Sequence, residues 1–375
     1  MAIPWEEVRK DFPAAERRVY LNAAATGLTP PTVRQAVDRF YRELEEGGDA
    51  HWDDWMRRRE EVRAKVASLI GAEAEEIAFV PNTSTGMNLI VDLLAADGPV
   101  LSDELEFPAV TLPWIHRGVP VSFMPAVEGI IRLESFMKPD APRAATIAIS
   151  HVQFSNGCRQ DLDAFGLLKD DRHLVVSASQ SAGVIPIDVR RSRIDALASA
   201  GHKWLGAGYG AGFVYVRGGL LVDRPPRAIG WMSVESPFSF DNRQYKVLPG
   251  HRRAEMGCPD FGPIFALGAA VDYVRGLGIE AIVERVLQLG TYLRGQLERE
   301  GIAVLSPPDP YRSAQTLCAV EDPPGAAAFL RERGIEVTVK PEGVRISTHY
   351  YNSEQDVDTC VAALAEYVRS FPPSA

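Results

Sequence analysis

Short apolar runs, separated by helical or turn-rich segments, dominate the chain between residues 77 and 217. The runs are IAFV (77–80), PVLS (99–102), VPVSFM (119–124), ATIAIS (145–150), HLVVSA (173–178) and GFVYVR (212–217). Because helices cover both faces of a parallel sheet, its strands are apolar on both sides rather than alternating. The pattern therefore predicts an α/β fold built on a largely parallel sheet.

The sequence changes character after about residue 260. Residues 262–300 are typical of two long helices, and shorter segments follow them. These are the strand-like runs 302–306, 315–320, 336–339 and 344–347, a helix near 325–333 and an amphipathic helix from about Ser353 to Ser370. A chain of this length usually divides its core. We predict a large domain over residues 17–250, and a smaller α+β domain made of residues 1–16 and 251–375.

Charge and composition argue against several classes of function. The formal net charge is −10, and an acidic surface repels nucleic-acid phosphates and anionic lipid. No stretch is apolar enough to span a bilayer, and the first residues lack a signal-peptide core. The four cysteines are far apart without C-x-x-C spacing, which argues against disulfides or a zinc site. We expect a cytoplasmic enzyme with no metal, nucleic-acid or membrane partner.

A lysine at the start of a glycine-rich loop is the first candidate catalytic residue. In ALASAGHKWLGAGYGAGFVYV (196–216), Lys203 follows a short apolar run and precedes four glycines. Ligand crevices form at strand ends in α/β sheets. Burial there lowers the pKa of an amine and frees its lone pair to attack an aldehyde. A His-Lys pair alone would favour a surface lysine, but the whole segment favours the catalytic interpretation.

A possible phosphate site lies in VPNTSTGMNLIVDLL (80–94), which predicts a strand, a turn and a helix. Free amides at the helix N-terminus, with the hydroxyls of Thr83, Ser84 and Thr85, would bind a phosphate. The alternative is an ordinary helix cap, since serine and threonine are preferred there in any case.

Two further side chains are candidates for the crevice. Gln180 follows the strand in VVSASQSAGVIPIDV (175–189), where it would face a ligand or be satisfied within a loop. Phe107, in SDELEFPAV (102–110), would stack on a planar ligand or belong to the core.

Nine motifs extend almost from one end of the chain to the other. They are YLNAAATGLTPP (20–31), PNTSTGMNL (81–89), ELEFPAV (104–110), SHVQFSNGCRQDL (150–162), SASQSAGVIPIDV (177–189), GHKWLGAGYGAGFVYV (201–216), GWMSVE (230–235), RRAEMGCPDF (252–261) and RISTHYYNSEQDVD (345–358). In order and spacing the chain resembles class V aminotransferases. These are fold-type I pyridoxal 5′-phosphate (PLP) enzymes that include cysteine desulfurases, kynureninase and isopenicillin N epimerase-like proteins. GHKWL, GWMSVE and EFPAV are most similar to the epimerase-like branch.

The resemblance implies a mostly parallel sheet of the seven-stranded type, a smaller α+β C-terminal domain and a homodimer with shared active sites. It also implies that Lys203 binds PLP as a Schiff base and then moves protons at the substrate α-carbon. The other implied cofactor-binding residues are Thr83, Ser84 and Thr85 in the phosphate turn, His202 at the phosphate, Phe107 on the pyridine face, Gln180 at the phenolic oxygen, Ser177 near the pyridine nitrogen, and Cys258.

The resemblance likewise implies a substrate site. Arg345 matches the arginine that binds the substrate carboxylate, a task that suits its bidentate fork. Ala24 and Ala25 lie in the family's pocket-lining loop, and His349 is a further candidate for contact with the substrate. Trp231 and Cys258 would serve the neighbouring subunit's site.

The sequence departs from the family at several of these positions. Ser177 replaces the aspartate that pairs with the pyridinium nitrogen, and a hydroxyl can only hydrogen-bond a neutral nitrogen, which would leave the cofactor a weaker electron sink. Ala200 replaces a frequent serine, Cys258 a frequent threonine, and Phe154 the family's asparagine. We predict aminotransferase-like chemistry on a small amino acid or amine. The alternatives are a lyase or epimerase, and a degenerate PLP-binding protein without catalysis.

The sequence also predicts against cysteine desulfuration. That reaction needs a mobile thiol in the loop before the carboxylate-binding arginine, and residues 321–344 contain no cysteine. Cys318 is more typical of a strand in the small domain.

Overall fold

The computed structural model describes residues 3–137, 143–221 and 224–371. Its strands are β1 (Val19–Tyr20), β2 (Ile77–Val80), β3 (Val100–Asp103), β4 (Val121–Met124), β5 (Ala126–Val127), β6 (Ile130–Ile131), β7 (Thr146–Ser150), β8 (His173–Ser177), β9 (Ala196–Ala200), β10 (Gly212–Val216), β11 (Gln315–Ala319), β12 (Ile335–Glu336), β13 (Thr338–Lys340) and β14 (Gly343–Ser347). Its α-helices are α1 (Trp5–Lys10), α2 (Pro13–Arg17), α3 (Pro31–Gly47), α4 (Trp52–Ile70), α5 (Thr83–Leu94), α6 (Pro108–His116), α7 (Leu162–Leu168), α8 (Phe261–Leu277), α9 (Ile279–Arg299), α10 (Pro323–Glu332) and α11 (Glu354–Ser370).

The central feature is a sheet of seven strands in the order β2-β10-β9-β8-β7-β3-β4. Strand β10 is antiparallel to both its neighbours, and the remaining pairs are parallel. Alternate residues of one strand enter two different cores: Leu174 and Val176 pack on one face, Val175 on the other. Helices α3, α4 and α8 cover the first face, while α5 and α6 cover the second. The predicted α/β fold with a mostly parallel sheet is confirmed.

The C-terminal part contains an antiparallel three-stranded sheet in the order β11-β14-β13. Its core is shared by α9, α10 and α11. Ser353 caps helix α11: its side chain accepts a hydrogen bond from the amide of Asp356 at 3.2 Å in a capping box. The predicted strand 302–306 does not form: its residue Val304 makes only an isolated bridge to Cys318.

The predicted strand 336–339 divides into two short strands with different partners. Strand β12 pairs in parallel with β1, whereas β13 pairs with β14. The first pairing joins residues 19–20 to the C-terminal part, and Arg9 in α1 forms an ion pair with Asp356 at 2.6 Å. Helix α8, in contrast, packs in the core of the large sheet. The domain boundaries stay a prediction. In the described part of the chain, no helix is long and apolar enough to cross a membrane.

Candidate active site

The loops that carry the predicted site residues leave one edge of the seven-stranded sheet. Strands β2, β3, β7, β8 and β9 all point in the same direction, so their carboxyl ends meet there. In open α/β sheets this edge is where ligands bind. The loops after these strands lead to the N-terminus of α5, Phe107, Phe154, Gln180 and Lys203.

The amine of Lys203 is largely buried at this edge. Its Nζ lies 5.8 Å from the centroid of the Phe107 ring, which is itself 42% exposed. Burial, with a further contribution from the positive charge of Arg345, lowers the pKa of Lys203 to about 8. A substantial fraction of this amine is therefore neutral, and so nucleophilic, near physiological pH.

The backbone around Lys203 is held by the N-terminal loop. The amide of Gly27 donates to the carbonyl of His202 at 2.9 Å. A Cβ on Gly27 would lie 2.0 Å from the carbonyl oxygen of Lys203. On the other side of the loop, Gly206 has a φ of +67°, and a Cβ there would lie 2.5 Å from the carbonyl oxygen of Leu28. Both close approaches require glycine.

Helix α5 presents its N-terminus at the same edge. The side chain of Asn82 caps it and accepts a hydrogen bond from the amide of Thr85 at 3.0 Å. The amides of Thr83 and Ser84 donate to no residue that the structure describes, as is usual in a first helical turn. The hydroxyls of Thr83 and Ser179 hydrogen-bond each other at 2.6 Å and join this turn to the loop after β8. The two free amides are thus the ones suited to a phosphate.

His202 and Cys258 are two further residues that were predicted to bind the cofactor. The ring of His202 stacks on Tyr209, with centroids 4.6 Å apart and planes 18° apart. Burial and the charge of Lys203 lower the pKa of His202, so its ring is neutral and can donate one hydrogen bond. Cys258 is exposed and lines the same surface concavity as Thr85 and Gly210.

Ser177 is the last residue of β8, and Gln180 lies in the loop that follows it. The hydroxyl of Ser177 makes no hydrogen bond to any described residue, although the side chain is mostly buried. The amide of Gln180 is well occupied: Nε2 donates to the carbonyl of Ala24 at 3.0 Å, and Oε1 accepts from Trp204 Nε1 at 2.8 Å and from Gln315 Nε2 at 3.3 Å. One Nε2 hydrogen remains for a ligand.

Arg345, in β14, brings the C-terminal part to the site. Its guanidinium donates to the carbonyl of Phe154 and to the hydroxyl of Thr338 at 3.2 Å. Burial lowers its pKa to about 10, so it stays charged. Its buried Nε–H has no partner in the described chain. A buried N–H group without a hydrogen-bond acceptor is energetically costly, and a carboxylate would supply that acceptor.

His349 lies behind the site instead of on its wall. Its Nε2 donates to the carbonyl of Trp204 at 3.1 Å, and its Nδ1 accepts from the amide of Tyr350 at 2.9 Å. Its ring stacks on Tyr351, with centroids 4.5 Å apart and planes 2° apart. Substrate contact by His349 stays a prediction, but this geometry favours a positioning role through Trp204, which in turn holds Gln180.

Lys340 is a site residue that sequence reasoning missed. Its Nζ lies 4.2 Å from the centroid of the Phe154 ring, and that ring makes an edge contact with Phe107 at 5.0 Å. Burial, followed by the charges of Arg345 and Lys203, lowers the pKa of Lys340 to about 8. No local sequence signal marks it: its place follows from the antiparallel register of β13 and β14, which sets Thr338 opposite Arg345 and puts Lys340 on the same face as Thr338.

Comparison with known proteins identifies the family. The family model described as aminotransferase class-V matches residues 19–360. The chain belongs to this family. An uncharacterized aminotransferase, YcbU, from Bacillus subtilis is 27% identical over 96% of this chain and 97% of its own length. A probable cysteine desulfurase from Pyrococcus abyssi is 29% identical over 100% of both chains. The apo structure of a cysteine desulfurase from Thermococcus onnurineus superposes with a TM-score of 0.90, at 27% identity over 99% of each chain.

These relatives correct one prediction. The sequence argument against cysteine desulfuration is wrong, because proteins named cysteine desulfurases match this class-V chain over its full length. The argument depended on one loop, residues 321–344, which lacks a cysteine. The absence of one residue type from one loop does not separate the chain from relatives that share all of its fold.

The cofactor predicted from the sequence, PLP, is that of the class-V family, and the residues present fit it. PLP carries an aldehyde, a phosphate and a flat pyridine ring. The buried amine of Lys203, the free amides of Thr83 and Ser84, and the exposed face of Phe107 offer a matching group for each. The unpartnered hydroxyl of Ser177 lies at the end of the central strand β8, where a ring nitrogen could be hydrogen-bonded.

Proposed function

We propose that the chain is a PLP-dependent enzyme that acts on a small α-amino acid, with Lys203 as the residue that holds the cofactor. The observation that carries this proposal is the buried Lys203 amine, whose pKa falls to about 8 at the carboxyl edge of the sheet. A surface lysine would be almost entirely protonated at pH 7 and a poor nucleophile. When bound, PLP withdraws electrons from the substrate's α-carbon.

The chain's own residues supply binding, orientation and proton transfer. Arg345 would take the substrate's carboxylate on its unpaired Nε–H side, held in place by the carbonyl of Phe154. When the amine of Lys203 is not bonded to the cofactor, its pKa of about 8 suits it to accept and return a proton near neutral pH. Trp204 holds Gln180 in place through a hydrogen bond to its Oε1, and the remaining Nε2 hydrogen of Gln180 would contact the cofactor.

Borohydride reduction tests this assignment. The protein is incubated with pyridoxal phosphate, reduced and digested, and the modified lysine is located by mass spectrometry. We expect the reduced adduct on Lys203 at a stoichiometry of one per chain, and none in Lys203→Ala. Lys65→Ala, which removes an exposed lysine paired with Asp272, is the matched control and keeps the adduct. An adduct spread over surface lysines, or absent from Lys203, overturns the proposal.

The reaction itself has several candidates. We propose aminotransferase-like chemistry first, because the family and YcbU carry that name, with a lyase or epimerase reaction as the alternative that Ser177 favours. Sulfur removal from cysteine is the second candidate, supported by the names of two relatives. Incubation with an amino acid and a keto acid, or with cysteine alone, separates them. The first gives a new amino acid. The second gives alanine and a persulfide on a thiol acceptor, which in this assay is a second molecule of cysteine.

We also propose that the chain works as a homodimer with shared active sites. A group of exposed aromatic side chains supports this: the ring centroids of Trp231 and Phe238 are 5.6 Å apart, and those of Phe238 and Phe240 are 6.2 Å apart. Exposed apolar patches of this kind are characteristic of protein interfaces. Light scattering should give twice the chain mass, and Phe240→Asp should lower it. An unchanged monomer mass in the wild type contradicts this part of the proposal.

A further inference from the structure

Three cationic side chains converge on one wall of the candidate site. The Nζ of Lys203 faces the Phe107 ring at 5.8 Å, and the Nζ of Lys340 faces the Phe154 ring at 4.2 Å. The two rings touch edge to face, with centroids 5.0 Å apart. Arg345 completes the group through its hydrogen bond to the Phe154 carbonyl. An aromatic pair is thus flanked by an amine on each side and anchored by a guanidinium.

The positive charge of this wall is not neutralised by the protein. Among the described residues, no carboxylate lies within 4.0 Å of the Nζ of Lys340. Glu342, two residues further on, is exposed and contributes only a weak attraction. Arg345 likewise donates to a carbonyl and a hydroxyl rather than to an acid. Partly buried charges are usually paired, so this group lacks its counter-charges.

Two of the three cations already have roles in the proposed function. Lys203 holds the cofactor, and Arg345 faces the substrate's α-carboxylate. Lys340 has no role in the proposed function so far. It lies on the same face of the β13–β14 hairpin as Thr338, which contacts Arg345. Placed this way, the Lys340 ammonium bears a cost of desolvation and of repulsion from Arg345 that a ligand with a second negative charge would reduce.

We propose that Lys340 recognises an anionic group on the substrate's side chain, so that the preferred substrates are amino acids that carry a second acid. The inference rests on the proposed function, and it narrows that function to a substrate class. A carboxylate, a sulfinate or a phosphate could provide the charge, since all three accept hydrogen bonds from an ammonium. A cation–π contact with the neighbouring Phe154 ring fixes the position of the Lys340 ammonium.

Ligand binding to the cofactor-loaded protein tests the proposal. Succinate is compared with butyrate by calorimetry, which needs no turnover, and aspartate, cysteine sulfinate and phosphoserine are compared with alanine by the shift of the cofactor's absorption band. We expect the wild type to bind each ligand with a second acid at least about tenfold more tightly than its counterpart without that acid. Lys340→Met should remove that preference, and Lys340→Arg should retain most of it. Lys10→Met, an exposed lysine paired with Glu7, should leave it unchanged.

The outcomes separate this inference from the proposed function. If no amino acid shifts the absorption band, the proposed function itself fails. If neutral amino acids shift the band as strongly as acidic ones, or if the preference for acids survives in Lys340→Met, only the assignment of Lys340 is overturned. Which of the three acids binds best identifies the anionic group, and a preference lost in Lys340→Met but kept in Lys340→Arg supports recognition of charge.

Discussion

The reactivity of Lys203 should have a pH dependence unlike that of any exposed lysine. Its pKa falls from 10.5 to about 8, mainly through burial, and this corresponds to about 3 kcal/mol against the charged form. Burial disfavours the ammonium, so the pKa moves down and the neutral amine appears at lower pH. At pH 7.5 about one quarter of Lys203 is then neutral, against about one in a thousand for an ordinary lysine.

Trace labelling with acetic anhydride, read residue by residue by mass spectrometry, measures this difference in the cofactor-free protein. Labelling of Lys203 should rise with a midpoint near pH 8. Lys10 serves as an internal reference, because its hydrogen bond to Glu7 raises its pKa above the ordinary value. Arg345→Gln should raise the midpoint of Lys203 only modestly, since the charge of Arg345 is the smaller of the two causes. A midpoint for Lys203 above pH 10 in the wild type would refute the reasoning.

Three further predictions follow from individual contacts. Ser177→Asp should speed the transamination half-reaction by about tenfold or more, because a carboxylate keeps the pyridine nitrogen protonated; stopped-flow rates that are already high in the wild type, and no higher in the variant, would contradict this. Gly27→Ala should lower the free energy of unfolding by about 1–3 kcal/mol, because the new Cβ clashes with the Lys203 carbonyl. Gly295→Ala should raise it by about 0.5–1 kcal/mol, because Gly295 lies inside α9 with no atom within 4 Å of the new Cβ. Denaturant titration of both variants measures the two changes. The ring of His349 should stay neutral down to pH 5, because burial lowers its pKa to about 3, and an NMR titration midpoint above pH 6 would be inconsistent with that burial.

Local sequence predicts the large sheet well because its strands are buried on both faces. The run HLVVSA, for example, is apolar on both sides, as a strand between two layers of helices must be, and it forms β8. The C-terminal strands are short and depend on distant partners. The predicted strand 302–306 therefore fails, and 336–339 divides between β12 and β13. Whether a C-terminal segment forms a strand depends on the distant segment with which it pairs, and the local pattern of apolar residues does not reveal that partner.

In the candidate site too, the residues that follow buried strands could be predicted, and those whose position depends on packing between distant segments could not. Lys203, Phe107 and Gln180 could be predicted because each follows an apolar strand whose carboxyl end reaches the same edge. Lys340 could not, because its place beside Phe154 requires the β13–β14 hairpin to pack against a loop of the other sheet. His349 follows Arg345 closely in the sequence, yet stacking between aromatic rings draws it behind Trp204.

In the proposed function, chemistry and selectivity come from different parts of this chain. The sheet edge contributes Lys203 and Gln180, which act on groups common to every PLP enzyme of the family. The β13–β14 hairpin contributes Arg345 and Lys340, and it meets the sheet at the Phe154 carbonyl and ring. We expect a change of side chain on the hairpin to alter which substrate is held without altering the amine that reacts. Relatives named aminotransferase and cysteine desulfurase both match nearly the whole chain, and substitutions at Lys340 and Arg345 are where we expect the choice of substrate by this chain to change first.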